Sequence, residues 1–137
     1  DYYGIDSSKV AIEHCKKHHK NVYHGDFSSM IFSDNFFDGI FDRCSIQHNS
    51  IDKIKIVSKE IYGVLKPGGL FYSTIVSNRN PLYPFQTTYF KKANLLSTFN
   101  MFQVVELDYM KNSFSNEKIL SSHWCMLLKK PIIEGDL

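Results

Sequence analysis

The sequence has few cysteines and no motif that would use them. Cys15, Cys44 and Cys125 are its three cysteines, they lie far apart, and no Cys-x-x-Cys pair occurs. An odd number at such spacing argues against a disulfide framework and against a zinc ribbon. Because free thiols persist in a reducing compartment, we expect a cytoplasmic protein.

Long apolar runs and blocks of like charge are also missing. No stretch approaches the ~18 apolar residues of a membrane-spanning helix, and no signal peptide is recognisable. The formal net charge is +2, and charges of both signs are interspersed along the 137 residues. We therefore expect a soluble protein with neither a membrane nor a nucleic acid as partner. His14 and His18 have a metal-binding spacing but no third ligand, so we predict no metal site.

What the sequence does contain is an alternation of strand-like and helix-like segments. Strands are predicted over residues 1–6, 21–24, 36–44, 70–76, 102–110 and 119–129. Helices are predicted from Ser8 to about Lys20, from Ser50 to Leu65 and over 89–99. This order predicts an α/β fold, with helices on both faces of a mainly parallel sheet and a C-terminal antiparallel hairpin.

The middle helix has the clearest pattern. Ser50 can cap its start, and apolar residues recur at three- and four-residue steps, namely Ile51, Ile54, Val57, Ile61, Val64 and Leu65. Such a stripe must pack against a core. The segment 66–69, Lys-Pro-Gly-Gly, ends the helix because proline cannot continue the hydrogen-bond ladder.

Candidate functional residues follow the predicted strands, where sheets of this kind bind ligands. Asp6 can accept hydrogen bonds from both hydroxyls of a ribose, although a helix cap is an alternative role. Asp26 can accept from the exocyclic amine of adenine while Phe27 walls the pocket, or the pair can be a turn and a core residue. His48 can act as a general base or be a core histidine. Cys44 can be a nucleophile, but a buried, inert thiol is the commoner case.

Five short segments, none of them specific alone, indicate a protein family by their order and spacing. They are Gly4-Ile5-Asp6-Ser7-Ser8, Gly25-Asp26-Phe27, Phe37-Asp38-Gly39-Ile40-Phe41, Ile46-Gln47-His48 and Val64-Leu65-Lys66-Pro67-Gly68-Gly69-Leu70. Together they resemble the class I S-adenosylmethionine-dependent methyltransferases over about residues 1–130, with 131–137 as a tail.

The resemblance implies a Rossmann-like sheet of seven strands in the order 3-2-1-4-5-7-6, the last one antiparallel. This chain would supply strands two to seven. The family's first strand and glycine-rich cofactor loop would precede Asp1, so we expect the chain to be a fragment of a longer gene product.

The resemblance also implies S-adenosyl-L-methionine as the cofactor. Asp6 resembles the acidic residue that holds the ribose hydroxyls, and Ser7 lies beside it near the adenine. Asp26 and Phe27 resemble the pair that reads the adenine. The segment that passes the methionine part of the cofactor corresponds to Arg43 and Cys44.

Residues near the methyl acceptor follow from the same resemblance. Gln47 and His48 match a dipeptide beside the acceptor, and His48 is the candidate base. Tyr83, Phe85 and Tyr89 would line an apolar substrate pocket, with ordinary loop packing as the alternative. The third strand lacks an (Asp/Asn)-Pro-Pro-aromatic motif, which argues against methylation of amino groups in DNA bases or glutamine. We expect a small-molecule acceptor.

Two other functions stay open. Another nucleotide-binding Rossmann-like enzyme, such as a dehydrogenase, shares the acidic residue at a strand end but does not predict Gly25-Asp26-Phe27 together with the Leu-Lys-Pro-Gly-Gly segment. A non-catalytic scaffold or partner subunit with the same fold is supported by the lack of the glycine-rich loop.

Overall fold

The structure, a computed structural model, is described here for residues 1–79, 87–113, 119–133 and 135. Its elements in chain order are β1 (Gly4–Asp6), α1 (Lys9–Cys15), β2 (Val22–His24), β3 (Phe37–Arg43), a 3-10 turn (Ile46–His48), α2 (Ile51–Val64), β4 (Leu65–Val76), α3 (Lys92–Thr98), β5 (Gln103–Ser113) and β6 (Ile119–Lys129). The predicted α/β fold is confirmed. None of the helices in these residues is long and apolar enough to cross a membrane.

The strands form two groups whose order agrees with the order that the resemblance implied. β1 pairs with β2 in parallel, and a four-stranded sheet has the order β3-β4-β6-β5. β3 and β4 are parallel, whereas β6 is antiparallel to both of its neighbours. The order is β2-β1 in the first group and β3-β4-β6-β5 in the second. Because β1 to β6 correspond to strands two to seven of the family, these orders are 3-2 and 4-5-7-6 in the family's numbering.

A cavity lies between the two groups of strands, and a cluster of aromatic side chains beside it connects them. The cavity is about 320 Å³ and is lined by residues 1–5, by residues 37 and 39–41, and by Met30 and Phe32. Beside it, the rings of Tyr3, Phe32, Phe36 and Phe37 pack with centroids 4.8 to 5.9 Å apart, mostly edge to face. Edge-to-face packing suits the charge distribution of aromatic rings, so this cluster stabilises the arrangement of β1 against β3.

The core lies on one face of the four-stranded sheet, beneath α2 and α3. The Ser50 hydroxyl caps α2 by accepting from the backbone N–H of Lys53 at 3.3 Å. The helix ends at Val64, next to the Lys-Pro-Gly-Gly segment that predicted its end. Ile54, Val57, Ile61, Val64 and Leu65 of the stripe are buried as expected, whereas Ile51 at its start is exposed. All of these buried residues except Val64 pack with Phe71, Phe99 and other apolar residues in one cluster.

Five boundaries differ from the predictions by three residues or more, including the start of β1 at Gly4 and the end of β5 at Ser113. Helix α1 ends at Cys15 rather than near Lys20, and turns follow it. β4 begins at Leu65 rather than Leu70, because Leu65 already pairs with Phe37 before the register shifts. Within that shift Gly68 has a φ of +78°, a conformation that glycine adopts without strain.

The third helix also starts later than predicted, at Lys92. Phe90, just before this helix, pairs with the end of β4 instead. Its N–H donates to the carbonyl of Val76 at 3.2 Å, and the residue forms an isolated parallel bridge with Ser77. Extended backbone at Phe90 is incompatible with a helix starting at residue 89, and the helix forms only after this bridge.

Candidate functional site

Asp6 is an exposed carboxylate at the carboxyl end of β1. One of its oxygens, Oδ1, accepts from the backbone N–H of Ser8 at 2.7 Å. Ser8 in turn caps α1 by accepting from the N–H of Ala11 at 3.2 Å. Asp6 therefore fixes the strand-to-helix turn with one oxygen, while its remaining acceptor positions face the site.

Asp26 follows β2 and lies beside Asp6, because Asp6 pairs with His24 in the parallel register. Its Oδ1 accepts from both the backbone N–H of Ser28, at 2.8 Å, and the Ser28 hydroxyl, at 2.7 Å. Its Oδ2 forms an ion pair with Lys53 Nζ at 2.7 Å. The Lys53 hydrogen bond first, and then those from Ser28, lower the pKa of Asp26 to about 2.

Lys53 brings α2 into the site. Its Nζ lies 5.9 Å from the centre of the Phe27 ring while it pairs with Asp26. A cation over a ring face is attracted by the ring's quadrupole, so one side chain holds both members of the predicted adenine pair in place.

The turn after β3 is fixed by a buried aspartate. Asp42 Oδ2 accepts from the Ser73 hydroxyl at 2.8 Å, and Oδ1 accepts from the Ser45 hydroxyl in a short hydrogen bond. Between them Cys44 has a φ of +58°, which is uncommon for a residue with a side chain. Its N–H still donates to the carbonyl of Thr74 at 2.9 Å. These contacts send the chain out of the sheet and into the 3-10 turn.

Gln47 is fully buried in that turn, and its side chain takes the place of a neighbouring strand beside the end of β4. Its Oε1 accepts from the backbone N–H of Val76 at 2.6 Å, in the position that a longer β3 would have occupied. Its main-chain carbonyl accepts from the N–H of Thr88 at 2.8 Å. Its Nε2 has no hydrogen-bond partner in the described structure. A buried donor without a partner costs about 1–3 kcal/mol, and the Gln47 side chain has no exposed surface at which a ligand could offset that cost.

These elements surround one cavity of about 330 Å³ at the carboxyl edge of the strands. Its lining consists of Ile5, Asp6, Ser7, Asp26, Phe27, Ser45, His48, Asn49 and Lys53. The volume lies within the usual range for small-molecule and cofactor sites, ~300–1,000 Å³. Five of the predicted site residues are therefore brought together.

The other predicted residues lie elsewhere. Gln47, predicted beside the acceptor, is fully buried against β4 and does not line the cavity. Arg43 is exposed and Cys44 is half-buried, and both precede the lining residue Ser45 without lining the cavity themselves. Tyr89 is half-buried and follows Thr88, whose hydroxyl donates to the carbonyl of Asn49 at 2.6 Å. Tyr83 and Phe85 lie outside the described residues.

Lys53, Ser45 and Asn49 were missed by the sequence reasoning. Lys53 reaches the site from the first turn of α2, and nothing in its local pattern distinguishes it from other exposed helix lysines. Ser45 and Asn49 flank a tripeptide that was identified, so their position next to Ile46-Gln47-His48 was the available signal.

A sheet-edge cavity with two carboxylates and an aromatic wall, on an α/β fold, defines a Rossmann-like nucleotide-cofactor site. The model of the methyltransferase domain family matches residues 1–73. The chain belongs to that family, whose cofactor is S-adenosylmethionine.

Individual relatives agree with this assignment. The chain is 35% identical over 78 residues to 24-methylenesterol C-methyltransferase 3 of Arabidopsis thaliana, a match that spans 51% of this chain and 21% of that enzyme. The chain therefore spans about a fifth of the length of this relative.

Two solved structures share the fold. An S-adenosylmethionine-dependent methyltransferase of Methanosarcina mazei superposes with a TM-score of 0.80 at 15% identity, over 96% of this chain and 82% of that chain. The 1,6-didemethyltoxoflavin-N1-methyltransferase of Burkholderia thailandensis, with 1,6-didemethyltoxoflavin and S-adenosylhomocysteine bound, superposes with a TM-score of 0.71 at 17% identity, over 93% of this chain and 60% of that chain.

The residues around the cavity fit the cofactor chemically. Asp6 offers acceptor positions for ribose hydroxyls beyond the one used by Ser8. Asp26 stays ionised through its low pKa and can accept from an amine, while Phe27 offers an apolar surface for adenine. The two carboxylate acceptors and the aromatic ring thus fit the adenosine part of the cofactor.

Proposed function

We propose that the protein transfers the methyl group of S-adenosylmethionine to a small-molecule acceptor. The observation that carries the proposal is the shared cavity in which Asp6, Asp26 and Phe27 meet His48. The first three present adenosine-binding chemistry, and His48 places a titratable group beside it. We also propose residues 1–130 as the methyltransferase domain and 131–137 as its tail.

Asp6 holds the ribose hydroxyls, with Ser7 next to it near the adenine. Asp26 and Phe27 hold the adenine, and Lys53 fixes both. Arg43 and Cys44 flank the methionine part. The strained turn at Cys44, held by Asp42, directs this segment across the carboxyl edge of the sheet.

The cofactor supplies a methyl group already activated on a sulfonium. The protein's tasks are therefore to align the acceptor with it and to exclude water. His48 takes the acceptor's proton where the acceptor must lose one. Gln47 acts from beneath the site: it is fully buried against β4 and fixes the 3-10 turn that carries His48. Tyr83, Phe85 and Tyr89 form the apolar side of the acceptor pocket.

A small-molecule acceptor is supported by the relatives. One is named for a methylenesterol and another for 1,6-didemethyltoxoflavin, and both are small molecules. The sequence has a net charge of +2 and no block of five or six like charges, so its charge pattern does not favour a nucleic-acid acceptor.

The test is calorimetry of S-adenosylhomocysteine, with NADH as the comparison ligand. The polypeptide is expressed from the native start of its gene, and its folding is checked by circular dichroism. Binding of S-adenosylhomocysteine and not of NADH is expected. A folded polypeptide that binds neither would refute catalysis and favour the scaffold function, and binding of NADH alone would favour a dehydrogenase.

A further inference from the structure

A second group of polar side chains lies at the same edge of the sheet, two strands away from the cofactor cavity. Ser77 follows β4, Ser122 is in β6 and Tyr109 is in β5. The hydroxyls of Ser77 and Ser122 are 2.6 Å apart, and both residues are fully buried. The Ser77 hydroxyl donates to the Tyr109 phenol at 3.5 Å.

Two cations lie over the ring of Tyr109. The Arg79 guanidinium carbon is 5.9 Å from the ring centre and Lys111 Nζ is 5.7 Å from it. Both side chains are exposed, and neither forms an ion pair within the part of the chain that the structure describes. Hydrogen bonds from Ser122 and Ser77, followed by the charges of Arg79 and Lys111, lower the pKa of Tyr109.

The carboxylates of β5 lie on the face of the sheet opposite to Tyr109. Glu106 and Asp108 line a separate cavity with Tyr72 and Cys125. Because side chains alternate along a strand, Tyr109 and Lys111 lie on the face opposite to both acids. The positive charge around the phenol is therefore not neutralised by its own strand.

Gln47 connects this group to the cofactor cavity. It binds the N–H of Val76, the residue before Ser77, and precedes His48, which lines the cavity. The Tyr109 group therefore lies further along the same edge of the sheet, at the end of β4 that Gln47 contacts.

We propose that Tyr109, Arg79 and Lys111 bind an oxyanion of the methyl acceptor, either a carboxylate or a phosphate group. This inference rests on the proposed function and adds to it the class of acceptor. The phenol donates a hydrogen bond to the anion, and the two cations attract it. Hydrogen bonds between charged partners are stronger than neutral ones, so this group selects anionic acceptors.

Trp124 provides the readout. It is the only tryptophan in the sequence, and its ring centre is 5.1 Å from that of Tyr109. Inorganic phosphate and acetate are titrated separately at constant ionic strength, and tryptophan emission is followed. The proteins compared are the wild type, Arg79→Gln, Lys111→Gln and the control Lys55→Gln, which removes an exposed lysine on α2.

A saturable change with one of the two anions is expected in the wild type and in Lys55→Gln. Each of the other variants should weaken the apparent affinity about tenfold or more, as expected for the loss of a charged partner. The anion that binds identifies the acceptor's group. No saturable change in the wild type, or equal affinities in all four proteins, would overturn the proposal.

S-adenosylhomocysteine calorimetry on the same proteins separates this proposal from the proposed function. The substitutions lie outside the cofactor cavity, so cofactor binding should be unchanged in all of them. Intact cofactor binding without an anion response would refute the oxyanion site alone.

Discussion

Replacing Asp6 with asparagine tests the cofactor site with little effect on the fold. Asparagine keeps an oxygen that can accept from Ser8 N–H, the 2.7 Å contact that fixes the turn before α1. It removes the negative charge and turns the second oxygen into a donor, so the ribose hydroxyls lose their charged acceptor.

The expected loss follows from the bonds that change. One oxygen of Asp6 is engaged by Ser8 N–H, so the ribose diol depends mainly on the other. A hydrogen bond to a charged group contributes about 1.5–3 kcal/mol. At 1.4 kcal/mol per tenfold change, S-adenosylhomocysteine should bind roughly 10- to 150-fold more weakly.

The assay is calorimetry with the wild type, Asp6→Asn and the control Asp38→Asn. Asp38 is an exposed carboxylate that pairs with Lys66 at 2.7 Å and does not line the cofactor cavity. The control should bind like the wild type. Equal affinity in Asp6→Asn, with unchanged thermal stability, would refute the ribose role of Asp6.

Three further predictions concern stability and ionisation. Gly69→Ala should destabilise the fold, because the added Cβ would lie 2.6 Å from Leu65 Cδ2 and 2.8 Å from a backbone oxygen; a melting temperature equal to the wild type's would contradict this. Lys53→Met should raise the pKa of Asp26 from about 2 towards 3.8, measured by NMR titration. In the wild type, the contribution of this lowered pKa to the free energy of unfolding is complete above pH 3.8 and disappears as the pH falls through about 2. An unchanged Asp26 titration in the variant would exclude the ion pair. Ser8→Ala should cost about 0.5–2 kcal/mol in chemical denaturation through the lost N-cap of α1, and an unchanged midpoint would show that the cap contributes nothing.

Local rules predicted the parts of the fold that depend on local chemistry. Ser50 and the Lys-Pro-Gly-Gly segment bracketed α2 because caps and helix breakers act within a few residues. The C-terminal hairpin followed from two long strand-like segments separated by a polar loop. Asp6, Asp26 and Phe27 were placed correctly at one edge because parallel strands bring their carboxyl ends together.

Contacts between distant residues account for what was missed. β4 begins five residues early because Leu65 pairs with Phe37, which the helix-ending pattern around Pro67 does not reveal. Lys53 belongs to the site only because α2 places it over Phe27 and beside Asp26. Such pairings depend on how elements pack, and they leave no periodic trace in the sequence.

The side chain of Gln47 makes one backbone amide a natural probe of the site. The N–H of Val76 is protected from solvent exchange by a side-chain oxygen rather than by a neighbouring strand. Its deuterium uptake therefore reports on opening of the 3-10 turn, independently of unfolding of the whole sheet. A ligand that contacts His48 and holds this turn closed would slow exchange at the Val76 amide before any change is seen at Thr74, whose strand pairing is complete on both sides.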